Sequence, residues 1–190
     1  MKLTLLAGAT ALALGLAVSS SAFAAADTGG TLTFNGAVTD GTCVVIGGPG
    51  TGGETGNITV ALDPVPAATL NANKNGANPH DFTIIVGDSG DGKCDQTKIA
   101  TMSFLPSSQH IDAATGALRN ALANEATDTQ IQLMNGGTAI NLADPSYSVD
   151  FPAFVNGRTS LPFTARYISP TGNATPGLVS TNVVYAISYK

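Results

Sequence analysis

Two cysteines, two histidines and one short acidic run are the residues of this chain whose types could support chemistry. Cys43 and Cys94 have no His or second Cys near them at metal-ligand spacing, so a zinc-type framework is missing. His80 and His110 are isolated, and no Ser or Cys sits in a nucleophile elbow or another catalytic signature; both histidines read as surface loop residues. Asp88-Ser89-Gly90-Asp91-Gly92 faintly resembles a calcium loop but lacks the regular acidic spacing and the closing bidentate Glu, and reads as a turn before Cys94. Asn57-Ile58-Thr59 and Asn173-Ala174-Thr175 match the glycosylation acceptor pattern, which is short enough to arise by chance. No Gly-rich loop opens a helix within a βαβ unit, so nucleotide binding has no basis. These residues give no reason to expect a catalytic site, a metal or a cofactor.

The N-terminus has the three parts of a secretory signal: Lys2, an apolar stretch over residues 3–18, and a small-residue site at Ala22-Phe23-Ala24. Cleavage after Ala24 is the preferred reading, giving a signal peptide of residues 1–24, and a cut after Ala22 also satisfies the rule. The apolar stretch is short for a membrane span and lacks a stop-transfer flank. Export puts Cys43 and Cys94 where thiols oxidise, and a single intramolecular disulfide is the natural pairing, with a free thiol or a metal ligand as its rivals. Closing a loop of that length stabilises by about 4 kcal/mol in the chain-entropy account. Lys and Arg number 8 against 13 Asp and Glu, a net charge of −5, which argues against nucleic acid or an anionic membrane as partner. The length suits one domain with a sizeable core.

Past the signal, apolar and polar residues alternate in runs separated by Gly, Asn, Asp and Pro, as in an all-β sandwich or barrel. Leu32, Phe34 and Val38 open the first run, which continues to Val44, Val45 and Ile46. A Gly-rich loop follows over residues 47–56. Further runs span residues 58–62, 82–86, 99–105, 131–134, 161–168 and 179–189. Residues 113–126 alone read as partly helical, interrupted by Thr115 and Gly116. In the last run Val179, Thr181, Val183, Tyr185, Ile187 and Tyr189 fall on one face at a period of two, and the sequence stops at Lys190. Such a strand either leaves one edge unpaired, a hazard not blunted here by charge or Pro, or lies in the middle of a sheet; the pattern admits both.

Together these residues resemble the major pilins of the chaperone-usher pathway, in particular the type 1 fimbrial shaft subunits of Gram-negative bacteria. The opening Gly30-Thr31-Leu32-Thr33-Phe34-Asn35-Gly36-Ala37-Val38 followed by Cys43 is similar to the family's first strand, and Lys93-Cys94-Asp95 matches the disulfide partner. Leu161-Pro162-Phe163-Thr164-Ala165-Arg166-Tyr167 is similar to its penultimate strand, and Thr175-Pro176-Gly177 introduces the last. Gly177 stands fourteenth from the C-terminus and Tyr189 is penultimate, the spacing of the family's assembly signature.

The resemblance implies an incomplete immunoglobulin-like β-sandwich that lacks its last strand and is completed by donor-strand complementation. Residues 25–36 would be the N-terminal donor extension and residues 37–190 the pilin domain. Thr28, Gly30, Leu32 and Phe34 would form the donor face. Gly177, Val179, Thr181, Val183, Tyr185, Ile187, Tyr189 and Lys190 would form the accepting and chaperone-binding edge. The implied partners are identical or related pilin subunits in a head-to-tail polymer, a periplasmic chaperone and an outer-membrane usher, with export to the bacterial surface as a fimbria. A minor adaptor pilin is an alternative, as is a secreted carbohydrate-binding sandwich. The latter usually displays aromatic residues, and this chain has no Trp and four Tyr, which lie mostly in strand-like runs.

Overall fold

Among the described residues the chain forms twelve strands and one short helix. The computed structural model describes the backbone of residues 30–38 and, in full, residues 43–88 and 94–190. In chain order the elements are β1 (Gly30–Val38), β2 (Val45–Gly47), β3 (Gly52–Glu54), β4 (Asn57–Leu62), α1 (Ala67–Ala72), β5 (Ala77–Val86), β6 (Ala100–Phe104), β7 (Leu118–Arg119), β8 (Gln130–Asn135), β9 (Thr138–Ala139), β10 (Ser148–Asp150), β11 (Thr159–Ile168) and β12 (Val179–Tyr189). They make two open sheets. One runs β10-β6-β12-β1-β4-β3; the other runs β2-β5-β11-β8-β7, with β9 on β8.

The core lies between the sheets and is built from alternate residues, because successive side chains of a strand point to opposite faces. β12 buries Val179, Thr181, Val183, Tyr185 and Ile187, while Tyr189 is half-buried. β4 buries Ile58, Val60 and Leu62. From the other sheet β5 contributes Phe82, Ile84 and Val86, and β11 contributes Leu161, Phe163, Ala165 and Tyr167. Phe82 and Phe163 are register partners, and their rings stack at 5.7 Å between centroids.

Two local expectations are corrected. Residues 113–126 form no helix: the Asp112 carboxylate accepts the Ala114 and Thr115 amides at 2.9 and 3.2 Å, and Gly116 turns at φ +68. An Asp that bonds amides two and three residues on offers the backbone a turn in place of a helix, and Leu118 and Arg119 then pair with β8. The helix that does form, α1, follows Pro66 and buries only Leu70. The Gly-rich stretch 47–56 is also not all loop. Gly52 to Glu54 pair with the start of β4 through a tight turn at Gly56, φ +78.

The resulting architecture is all-β and immunoglobulin-like, with one unusual member. β1 lies between β12 and β4, and β12 and β4 are not neighbours in the sheet. Without β1 that sheet would part into β10-β6-β12 and β4-β3. The strand runs across the expected boundary between residues 36 and 37. Among the described strands its ladder with β12 is the one parallel pairing; every other is antiparallel.

Candidate functional site

The last strand of the chain is held by different means along its two edges. On one side Tyr185 to Tyr189 pair with β6, and Lys190 exchanges backbone hydrogen bonds with Ile99 at 2.9 and 3.1 Å. The same edge is completed towards the start of the strand by a loop. There Leu105 N donates to Val184 O at 2.9 Å, Ala121 N donates to Ser180 O at 2.8 Å, and the Ser180 amide donates to the Asn120 side chain at 3.0 Å. The opposite edge, from Val179 to Ile187, is paired along its length by β1, with Gly30 opposite Val179 and Val38 opposite Ile187. On its other side β1 pairs Gly30 to Asn35 with Leu62 to Asn57.

The gap that β1 occupies is therefore bounded by two strand edges and floored by core side chains. Ile58 and Val60 lie on one flank, and Val183, Tyr185 and Ile187 on the other, all fully buried. With β1 withdrawn, two rows of backbone groups would lose partners, and this apolar floor would gain access to water. The last strand is thus central in its sheet only because an N-terminal strand lies beside it. Of the expected donor residues, Gly30, Leu32 and Phe34 stand in β1 opposite Val179, Thr181 and Val183; Thr28 falls outside the described residues.

Among the described residues Tyr185 is the largest fully buried side chain. It donates its hydroxyl to Gly56 O at 3.0 Å, tying the gap to the β3–β4 turn of the same sheet. Burial pushes its pKa up to about 12. Among the described residues the Thr181 hydroxyl and the Tyr189 phenol are buried without a hydrogen-bond partner. At the chain's end the Lys190 ammonium lies 2.8 Å from Asp150, which also accepts from Thr101 at 2.7 Å. The Lys190 contact, followed by that of Thr101, holds the Asp150 carboxyl below its ordinary pKa.

Gly177 sets the entry to β12. A Cβ there would collide with the backbone of Glu125 and Ala126, and the neighbouring Leu178 amide donates to Glu125 at 2.7 Å. Gly177→Val should therefore force the two segments apart, at a cost of about 1–3 kcal/mol typical of overpacking. A lowered denaturant midpoint would register it, and an unchanged midpoint would show that the backbone yields freely. Just beyond the Gly30 end of the gap is a hollow of about 180 Å³ lined by Leu70, Ala126, Tyr167, Pro176 and Val179 among others.

Cys43 and Cys94 are bonded to each other, with Cα atoms 4.8 Å apart. The bond joins the approach to β2 with the segment after β5, next to the Val45–Val86 pairing. Sequence reasoning missed Asp128, which accepts from Ser169 Oγ at 2.5 Å, Thr171 Oγ1 at 2.8 Å and the Asn173 amide at 2.9 Å. Burial pushes its carboxyl up, but these bonds outweigh that and hold it below the usual carboxylate range. The contacts fix the loop that leads into β12. A lone Asp in a polar run carries no signal of such a role. Among the described residues no three His, Cys, Asp or Glu come together as a metal site would require.

The fold and site define an all-β sandwich whose last strand is flanked by the chain's own N-terminal strand. Residues 32–190 match the model of the fimbrial protein family, and the chain belongs to it. It is 35% identical to the F17 fimbrial protein of Escherichia coli, over 92% of this chain and 93% of that one. It is 30% identical to the type-1 fimbrial protein A chain of Escherichia coli strain K12, over the full length of both. The fold matches a subunit of a solved chaperone-usher pilus with a TM-score of 0.54 at 18% identity, covering 83% of this chain and 93% of that one. The protein is thus a structural subunit of a fimbria, exported to the cell surface as part of that organelle.

Proposed function

We propose that the subunit polymerises by donating the strand of residues 25–36 to the β12–β4 gap of the next copy, forming a head-to-tail shaft. The observation that carries this reading is the gap itself: β12 and β4 are joined only through β1, which precedes the disulfide-anchored body of the domain. Any strand of suitable sequence can satisfy both edges through backbone hydrogen bonds, with alternate side chains supplying fit. A neighbour's strand makes a contact that does not close into a ring, and the hollow beyond Gly30 offers room for one further side chain.

A gap of this kind would expose apolar surface during export. A periplasmic chaperone occupying it, and an outer-membrane usher presiding over its replacement, are the partners that fit, in keeping with the pathway named for the solved pilus. The chain is assigned no catalytic step.

Deleting residues 25–32 tests the division of labour. The shortened subunit retains β12 and its accepting edge, so it should still be captured by the chaperone, while electron microscopy of cells should show no fibres. Normal fibres from the deletion would refute strand donation.

A further inference from the structure

Two cations of this acidic chain share a hollow and have no carboxylate. Among the described residues the ion pairs are Arg119–Asp112 and Lys190–Asp150, although the sequence holds 13 Asp and Glu against 8 Lys and Arg. Lys74 and Arg166 instead both line an open hollow of about 480 Å³, together with Ala72, Asn73, Asn75 and Gly76. No acid lines it. The carboxylates on the adjoining segments are engaged elsewhere: Asp81 accepts from Thr164 Oγ1 at 2.6 Å, and Asp128 accepts from Ser169, Thr171 and Asn173. Like charges sharing one hollow repel each other, and a bound anion would relieve both.

The fold holds the two cations by different means. Arg166 stands on β11 between the inward-facing Ala165 and Tyr167, so its side chain leaves the core for the outer face of the second sheet. There its register partner on β8, Gln132, accepts from Nε at 3.0 Å and from Nη2 at 2.6 Å through the same oxygen. A neutral amide thus fixes the guanidinium without cancelling its charge. The Nη1–Nη2 edge keeps parallel N–H groups, the arrangement that matches an oxyanion. The same side chain crosses the backbone of Gly76, where a Cβ would overlap Cδ and Nε. Lys74 likewise lies across Gly172, where a Cβ would overlap Cε. Glycine at both positions permits the close approach.

We propose that this hollow binds the carboxylate or sulfate group of an acidic saccharide, with Arg166 and Lys74 holding the charge. Asn73 and Asn75 flank Lys74 and supply the polar groups for sugar hydroxyls, which both donate and accept. Asn73 commits its Nδ2 to Thr69 O and keeps its oxygen, while the Asn75 side chain makes no hydrogen bond among the described residues. The chain's net charge of −5 opposes an extended polyanion, so the ligand that fits is a single anionic group on an otherwise neutral sugar. β11 belongs to the second sheet, whereas β12, β1 and β4 belong to the first, and the proposal holds however neighbouring copies are joined. A fimbria repeats its subunit, so one weak site per copy becomes many on one fibre, and retention rises by avidity.

Purified fibres passed over sugar-bearing beads test the assignment. The beads carry a glucuronate-terminated disaccharide, a sulfated galactose or neutral lactose. Retention on the first identifies a carboxylate ligand and retention on the second a sulfate; passage through both, or equal retention on lactose, overturns the proposal. Arg166→Gln and Lys74→Gln should each lower retention by at least about tenfold. Arg158→Gln makes the same change of charge outside the hollow and should leave retention unaltered, whereas an equal loss in all three would show a net-charge effect and refute the site. Lys74 is exposed, so its variant carries the test where Arg166→Gln fails to assemble. The retaining sugar, added free, should release the fibres at lower concentration than inorganic sulfate does. Equal release by inorganic sulfate would reveal an adventitious ion only, and the saccharide would be ruled out.

Discussion

A double variant, Cys43→Ser with Cys94→Ser, should lose about 4 kcal/mol of stability, because the bond closes a loop with a sequence separation of 51 and the unfolded chain recovers the corresponding entropy. The loss is large beside the 5–15 kcal/mol that typically separates a folded domain from its unfolded chain. Both cysteines are buried, so the serine hydroxyls add a desolvation cost unless they find partners. Urea unfolding of the two proteins, with the midpoint shift multiplied by the slope, measures the difference. Periplasmic yield should fall with it. The framework role would be refuted by coincident unfolding curves, since they would mean that β2 and β5 hold the approach of Cys43 without help.

The parts of this fold that could be read from sequence are those where one strand face meets the core. β12 is the clearest: Val179, Thr181, Val183, Tyr185 and Ile187 alternate without a break, and the structure buries all five. The paired runs that became β5 and β11 were legible for the same reason, though β5 begins earlier, at Ala77, where polar residues conceal it. Residues 113–126 misled because helix-compatible Ala and Leu outnumber the breakers, whereas the outcome was decided by one Asp112 carboxylate and one left-handed glycine. β3 was hidden because glycines carry no alternation, and its pairing depends on the neighbouring β4. At the site, Gly177 stood out by position, but its reason, the close passage of the Glu125–Ala126 backbone, is a tertiary fact. The direction of β1 was beyond any pattern. Alternation is the same read forwards or backwards, so the pattern does not tell that β1 runs parallel to β12.

Alkaline pH should unfold this protein through two phenols. Tyr167 and Tyr185 are both almost wholly buried, and burial pushes each pKa up to about 12, aided for Tyr167 by the charge of Asp63. In the unfolded chain a tyrosine titrates near 10. Between about pH 10 and 12 the unfolded chain therefore releases these protons while the folded chain keeps them, so stability falls as pH rises. Below about pH 10 both states are neutral and the contribution is complete. Across the window each phenol should weaken the fold by about 1.4 kcal/mol per pH unit, and the pair by about 5 kcal/mol at its upper end. Urea midpoints measured from about pH 9 to 12 should decline accordingly. Tyr185→Phe isolates one of the two contributions. It removes the bond to Gly56 O, costing about 1 kcal/mol at neutral pH, yet it should roughly halve the alkaline slope attributable to the pair, so the variant overtakes the parent as pH rises. Because Tyr185 lies beneath the gap, opposite Gly36 of β1, its ionisation should also release the N-terminal strand. A slope unaltered in the Phe variant would place the Tyr185 phenol in contact with water in the folded chain, and the gap could not then be closed over it.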